Sequence, residues 1–145
     1  MVWNKFPVLA VLCVCILISA CGGEPKPPLV ATDIVIIEAM PGKKMTSAYL
    51  SLTNHTDAAI SITGVSSPEF ESVEIHESLL EDGVAKMRRI PELSIPANTT
   101  VLLERGGKHL MLMRPTGTPT QVTLSFQNGD TTLLSVRAPV TPRNN

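Results

Sequence analysis

Four side chains with soft or borderline donor atoms stand at intervals that invite a shared ligand: His76, Met87, His109 and Met111. The last two belong to the run GGKHLMLMRP, residues 106–115, in which His109, Met111 and Met113 alternate with Leu110 and Leu112. Side chains of a β-strand point alternately to its two faces, so a strand here buries its leucines and presents an imidazole and two thioethers on the other side. Thioether sulfur is a soft, uncharged ligand and imidazole a borderline one. Two of each, without thiolate, suit Cu(I) far better than Ca²⁺, Mg²⁺ or Zn²⁺. Blue-copper electron transfer needs a cysteine ligand, and Cys13, Cys15 and Cys21 all lie in the N-terminal leader region. The chemistry expected is therefore the holding of Cu(I) without redox cycling.

Strands and turns must bring these donors together. An Asp82-Gly83 hairpin turn sets residue 81 opposite 84, 78 opposite 87 and 76 opposite 89. His76 and Met87 then share a face as diagonal neighbours, about 7–8 Å apart at Cα. Gly106-Gly107 reads as a second hairpin turn, which places Val101 and Leu103 with Leu110 and Leu112 on the core side and leaves His109 and Met111 on the other. Asn128-Gly129 reads as a third. Period-two alternation runs through TSAYLSLTN, AAISITG, ESVEIHE, TTVLLER, QVTLSFQ and TLLSVRA, and no amphipathic helix or internal repeat interrupts it. Short strands so spaced predict an antiparallel β-sandwich, with Pro91, Pro96, Pro115 and Pro119 in its connections. The remaining candidates read more plainly. Methionine usually fills gaps in a core, so Met40 and Met45, which flank PGKK, are assigned a loop and at most a site rim. His55 in LTNHTD is a turn residue, and Met113 is a shield or spare ligand on the metal face.

The chain has 145 residues and a formal net charge of −1, which is enough for one domain and points to neither nucleic acid nor an anionic membrane surface as partner. Its N-terminus, MVWNKFPVLAVLCVCILISACGG, has a lysine at position 5, an apolar run from Phe6 to Ile18, and small residues before Cys21. The run is short for a membrane span and ISAC resembles a lipobox, so residues 1–20 read as a lipoprotein signal peptide and Cys21 as the acylated first residue of the mature chain. Acyl chains anchor a protein without spanning the bilayer. Cleavage there removes Cys13 and Cys15, and leaves any metal chemistry to His, Met, Asp or Glu. Residues 21–31 (GGEPKPPLV follows Cys21) form a Pro/Gly-rich tether, 32–139 the β-sandwich domain and 140–145 a C-terminal tail. Gly22, in place of the aspartate that retains lipoproteins at the inner membrane of enteric bacteria, favours the outer membrane.

The spacing H-x10-M-x21-H-x-M from His76 to Met111 resembles the signature of the PCu(A)C family of periplasmic copper chaperones. The segments SAYLSLTNHTDAAISITGVSSP, VEIHESLLEDGVAKMR and IPANTTVLLERGGKHLMLM are similar to that family as well, and the likeness runs from about residue 32 to 139. It implies a cupredoxin-like β-sandwich, not an enzyme, that binds one Cu(I) through His76, Met87, His109 and Met111. It further implies a periplasmic, monomeric carrier that passes copper toward cytochrome c oxidase, particularly subunit II, alongside Sco-type thiol proteins. Copper storage or scavenging for tolerance, with no dedicated recipient, is the alternative. Many members of the family carry a plain secretory signal instead of a lipid anchor. Some add a His/Met-rich tail that VTPRNN lacks.

Overall fold

The computed structural model describes residues 25–143. The signal-peptide and lipidation readings, Cys21 included, lie outside the described residues. Eleven strands occur among those residues: β1 (Leu29–Ile37), β2 (Met45–Asn54), β3 (Ile60–Ile62), β4 (Gly64–Ser66), β5 (Phe70–Glu81), β6 (Val84–Arg89), β7 (Leu93–Ile95), β8 (Thr100–Leu103), β9 (Lys108–Pro115), β10 (Gln121–Asn128) and β11 (Thr131–Thr141). No helix long and apolar enough to cross a membrane occurs among them.

The larger sheet runs β1-β11-β10-β4-β5-β9-β2, and β2 pairs back onto β1, so its edges close on one another. Closure pairs the edges of this ring, while β6, which pairs only with β5, remains an edge strand. β3 and β7 make a small second sheet, with Ile60 opposite Ile95 and Ile62 opposite Leu93. The interior is filled by alternate residues of the long strands: Ala48, Leu50 and Leu52 of β2, Val73 and Ile75 of β5, Leu110 and Leu112 of β9, and Val122, Leu124 and Phe126 of β10. These are the positions that period-two alternation assigns to the inner face.

The Asp82-Gly83 hairpin forms as its sequence requires. Both residues have positive φ, 52° and 76°, which is what a two-residue loop matching strand twist needs. Glu81 faces Val84, Ser78 faces Met87 and His76 faces Arg89. At the β10–β11 hairpin the loop is Gly129-Asp130, one residue later than Asn128-Gly129, because Asn128 still pairs with Thr131.

Gly106-Gly107 does not make a hairpin. β8 and β9 both pair with the same edge of β2, Leu50 facing Leu103 and Ala48 facing Leu110. They are two stretches of one strand running in one direction, interrupted by a small loop. Within it the amide of Glu104 donates to the carbonyl of Lys108 at 2.6 Å, and that of Gly107 to Glu104 at 3.2 Å. Gly106, at φ 78°, allows the outward turn. A glycine pair permits positive φ without dictating whether the chain then reverses or resumes its course. The core-side assignment of Leu103, Leu110 and Leu112 survives, since it depends on strand parity alone.

Two boundaries also shift. β1 starts at Leu29, inside the expected tether, because that side chain is buried and its residue pairs with Asn54. β11 runs on to Thr141, where the tail was expected from residue 140, because Val140 and Thr141 pair with Ile36 and Ile37 of β1. That last pairing is parallel, the one departure from an antiparallel sandwich among the described residues. It is the seam at which the first and last strands close the sheet.

Leu110 is fully buried between Ile75 of β5 and Ala48 of β2. Leu110→Ala is expected to cost about 2–5 kcal/mol, measured by urea denaturation. A loss well under 1 kcal/mol would contradict this placement of β9.

Candidate metal centre

The outer face of β5, β9 and β2 gathers the donor residues. Across the β5–β9 ladder His76 stands directly opposite His109, and Glu74 opposite Met111. Their inward neighbours Ile75 and Leu110 face each other in the core, so burial of that pair turns both imidazoles to the same outer face. The two rings lie 6.1 Å apart between centroids, at 56°. On the far side of His109 the Tyr49 ring follows at 6.4 Å, with the Arg105 guanidinium 5.1 Å from its centre, a cation–π contact that holds the tyrosine in place.

Hydrogen bonds fix the tautomer each histidine presents. His109 Nδ1 lies 3.1 Å from the carbonyl of Gly107. A carbonyl only accepts, so Nδ1 carries the proton and Nε2 keeps its lone pair. His76 is held the other way round: its Nε2 donates to Glu74 Oε2 at 2.9 Å, which leaves the lone pair on Nδ1. That Nδ1 is buried and has no hydrogen-bond partner. An unpartnered buried nitrogen costs about 1–3 kcal/mol, and a bound electrophile would recover it. Glu74 stays ionised to lower pH than usual. The His76 hydrogen bond is the main cause, opposed by burial and assisted by Arg89, whose Nε lies 3.7 Å from Glu74 Oε1.

The four sequence-predicted donors differ in access. His109 is only 4% exposed, where the strand pattern had suggested an open surface; Tyr49 and His76 cover it. Met111 is half-buried. Met87 approaches from β6 on the His76 face, diagonal to it in register, and is 54% exposed. Met113 lies on the same face beyond Met111, opposite Ser72 on β5 and Met45 on β2. His55 follows the opposite end of β2, about 20 Å along the strand from Tyr49, and its amide bonds the Pro28 carbonyl. No group of three His, Cys, Asp or Glu arranged to hold a metal occurs among the described residues. An ion bound here must take thioether ligands, and the arrangement of donors fits a soft monovalent cation.

Strand parity already placed Glu74 beside His76 in ESVEIHE, but not its role as the acceptor that sets the ring. Tyr49 and Arg105 could not be found from sequence, because their places depend on β8 and β9 pairing with β2, and the Gly107 carbonyl could not because it depends on the conformation of the β8–β9 loop.

A family model described as "Putative lipoprotein LpqE-like" matches residues 29–140. "Putative lipoprotein Lxx21020" of Leifsonia xyli subsp. xyli is 31% identical over 101 residues, 66% of this chain and 61% of that protein. "Uncharacterized protein RP573" of Rickettsia prowazekii is 28% identical over 103 residues, 66% of this chain and 57% of that protein. The chain thus spans about three fifths of the length of either relative. Among solved structures, the copper-bound PCuAC domain from PmoF2 superposes with a TM-score of 0.62 at 20% identity, covering 80% of this chain and 94% of that one. The solution structure of CuI-DR1885 from Deinococcus radiodurans gives 0.60 at 29% identity, covering 84% and 82%. The all-β, cupredoxin-like fold and the likeness to PCu(A)C proteins expected from the sequence are borne out.

Because the Glu74 carboxyl titrates below 4.5 in the folded chain, the stability it adds is present above that pH and is lost as pH falls through the lowered value. Glu74→Gln should therefore lie below the unaltered protein in stability at about pH 6 and converge with it toward about pH 3. Urea midpoints across that range test this; a gap that stays constant would show that Glu74 is not held in its ionised form.

Proposed function

We infer function from the premise that the chain belongs to the LpqE-like lipoprotein family. We propose that it is a Cu(I)-binding chaperone of the bacterial periplasm, held to a membrane by lipid on Cys21. One Cu(I) is its cargo, taken by His76, Met87, His109 and Met111. The observation that carries this reading is the facing pair of imidazoles, His109 buried and His76 half-buried with an orphaned Nδ1, beside Met111 on the same face. Similarity to CuI-DR1885, a Cu(I) form of a protein 29% identical, supports it.

The arrangement suits a carrier. All four ligands are uncharged when they bind, so each can be exchanged singly without stranding a buried charge. The histidines are pre-oriented by Glu74 and Gly107, which lowers the ordering cost of capture. Met87, on an exposed edge strand, is the ligand a partner can displace first. No thiol is available among the described residues, so the site can meet thiol-bearing proteins without forming a disulfide. The finer reading follows the family resemblance: delivery toward cytochrome c oxidase subunit II, together with a Sco-type thiol protein. Deletion of the gene tests it. Loss of oxidase assembly supports delivery, whereas copper sensitivity with normal oxidase favours scavenging.

His109→Ala and Met111→Ala should each weaken Cu(I) binding by more than the about 10–100-fold that loss of a ligand's supporting partner costs. Anaerobic competition with a Cu(I) chelator measures this. X-ray absorption should show mixed nitrogen and sulfur neighbours. Unchanged affinity in both variants rejects the assignment.

A further inference from the structure

Met45 stands directly opposite Met113 in the β2–β9 ladder, on the outer face that also carries Met111. Opposed residues have Cβ atoms about 4.5–5.5 Å apart, so two flexible thioether side chains at these positions can converge on one ion. Met40, in the connection between β1 and β2, lines a groove of about 440 Å³ together with Met45 and Met111. Met40 and Met45 are 45% and 53% exposed, so neither fills the core. No carboxylate, imidazole or thiol lines that groove. Its soft donor atoms are the thioether sulfurs of Met40, Met45 and Met111, which select soft cations, and Met113 adjoins the groove as the ladder partner of Met45.

We propose that Met40, Met45 and Met113 form a second, sulfur-only site for Cu(I) or Ag(I), next to Met111 and distinct from the His/Met cradle. Lys43, Arg105 and Arg143 also line the groove and oppose an added positive charge. The site is consequently the weaker of the two. Its neutral ligands do not titrate, and Met111 touches both the groove and the cradle. An ion can thus move between the two positions by exchanging sulfurs, without entering water. This transit role rests on the Cu(I) reading above; the existence of the methionine site does not.

Titration of the full protein with Cu(I), and separately with Ag(I), against a competing chelator tests the proposal. Two equivalents are expected, the second weaker. The triple variant Met40→Leu/Met45→Leu/Met113→Leu, which keeps side-chain bulk, should lose the second equivalent and keep the first, with mixed nitrogen and sulfur neighbours in X-ray absorption. His76→Ala/His109→Ala should retain one equivalent whose X-ray absorption shows sulfur and no imidazole. A single equivalent in the unaltered protein, or two in the triple variant, overturns the second site. If the double-histidine variant still binds two equivalents, the His/Met assignment fails while the triple variant continues to decide the methionine site.

Discussion

The register between β5 and β9 is the constraint on which the rest depends. Ile75 facing Leu110 and Val73 facing Leu112 bury four apolar side chains in one layer. A slip of one residue would turn that whole set outward. Core burial thus acts as a clamp on register, and the same clamp turns His76, His109, Glu74 and Met111 to the outer face. The donor constellation is the reverse side of the hydrophobic core, and no separate device is needed to assemble it.

Given the register, a few polar contacts decide what the histidines offer. The Glu74 carboxylate and the Gly107 carbonyl accept hydrogen bonds from opposite ring nitrogens, Nε2 of His76 and Nδ1 of His109. Gly107 can reach because the loop between β8 and β9 brings its carbonyl back over the strand, where it also accepts the Ser78 amide at 3.1 Å. The interruption of that strand therefore supplies the acceptor that sets the His109 ring. Tyr49 and His76 then enclose the ring, which explains why a histidine on the outer face of a sheet is buried.

Access grades across the face from the buried His109 to the half-buried Met111 and the exposed Met87, Met45 and Met40. The His109 imidazole is held deep and pre-oriented, whereas the outward thioethers are reachable from solvent. In the carrier proposed above, this ordering separates holding from handing over. On that proposal, the ligands most able to leave are the ones a recipient meets first.

The sequence by itself determined whatever depends on local parity and turn chemistry. Alternation in HLMLM and ESVEIHE assigned inner and outer faces, and Asp82-Gly83 fixed the β5–β6 register that sets Met87 diagonal to His76 on one face. The donor types of His76, Met87, His109 and Met111 pointed to soft-metal chemistry, and their spacing resembles the PCu(A)C signature. Only the tertiary structure decided what depends on which strands are neighbours. Gly106-Gly107 is compatible with reversal or with continuation, and pairing of both β8 and β9 to β2 chose continuation. Leu29 and Val140 looked like tether and tail because short terminal segments carry little periodicity. Their pairing with β2 and β1 made them strand. The roles of Tyr49, Arg105, Met40 and Met45 arise for the same reason: each lies far along the chain from its neighbour at the site. Non-local adjacency leaves no local pattern to read, whereas the two-residue period of a strand is written into every segment that forms one.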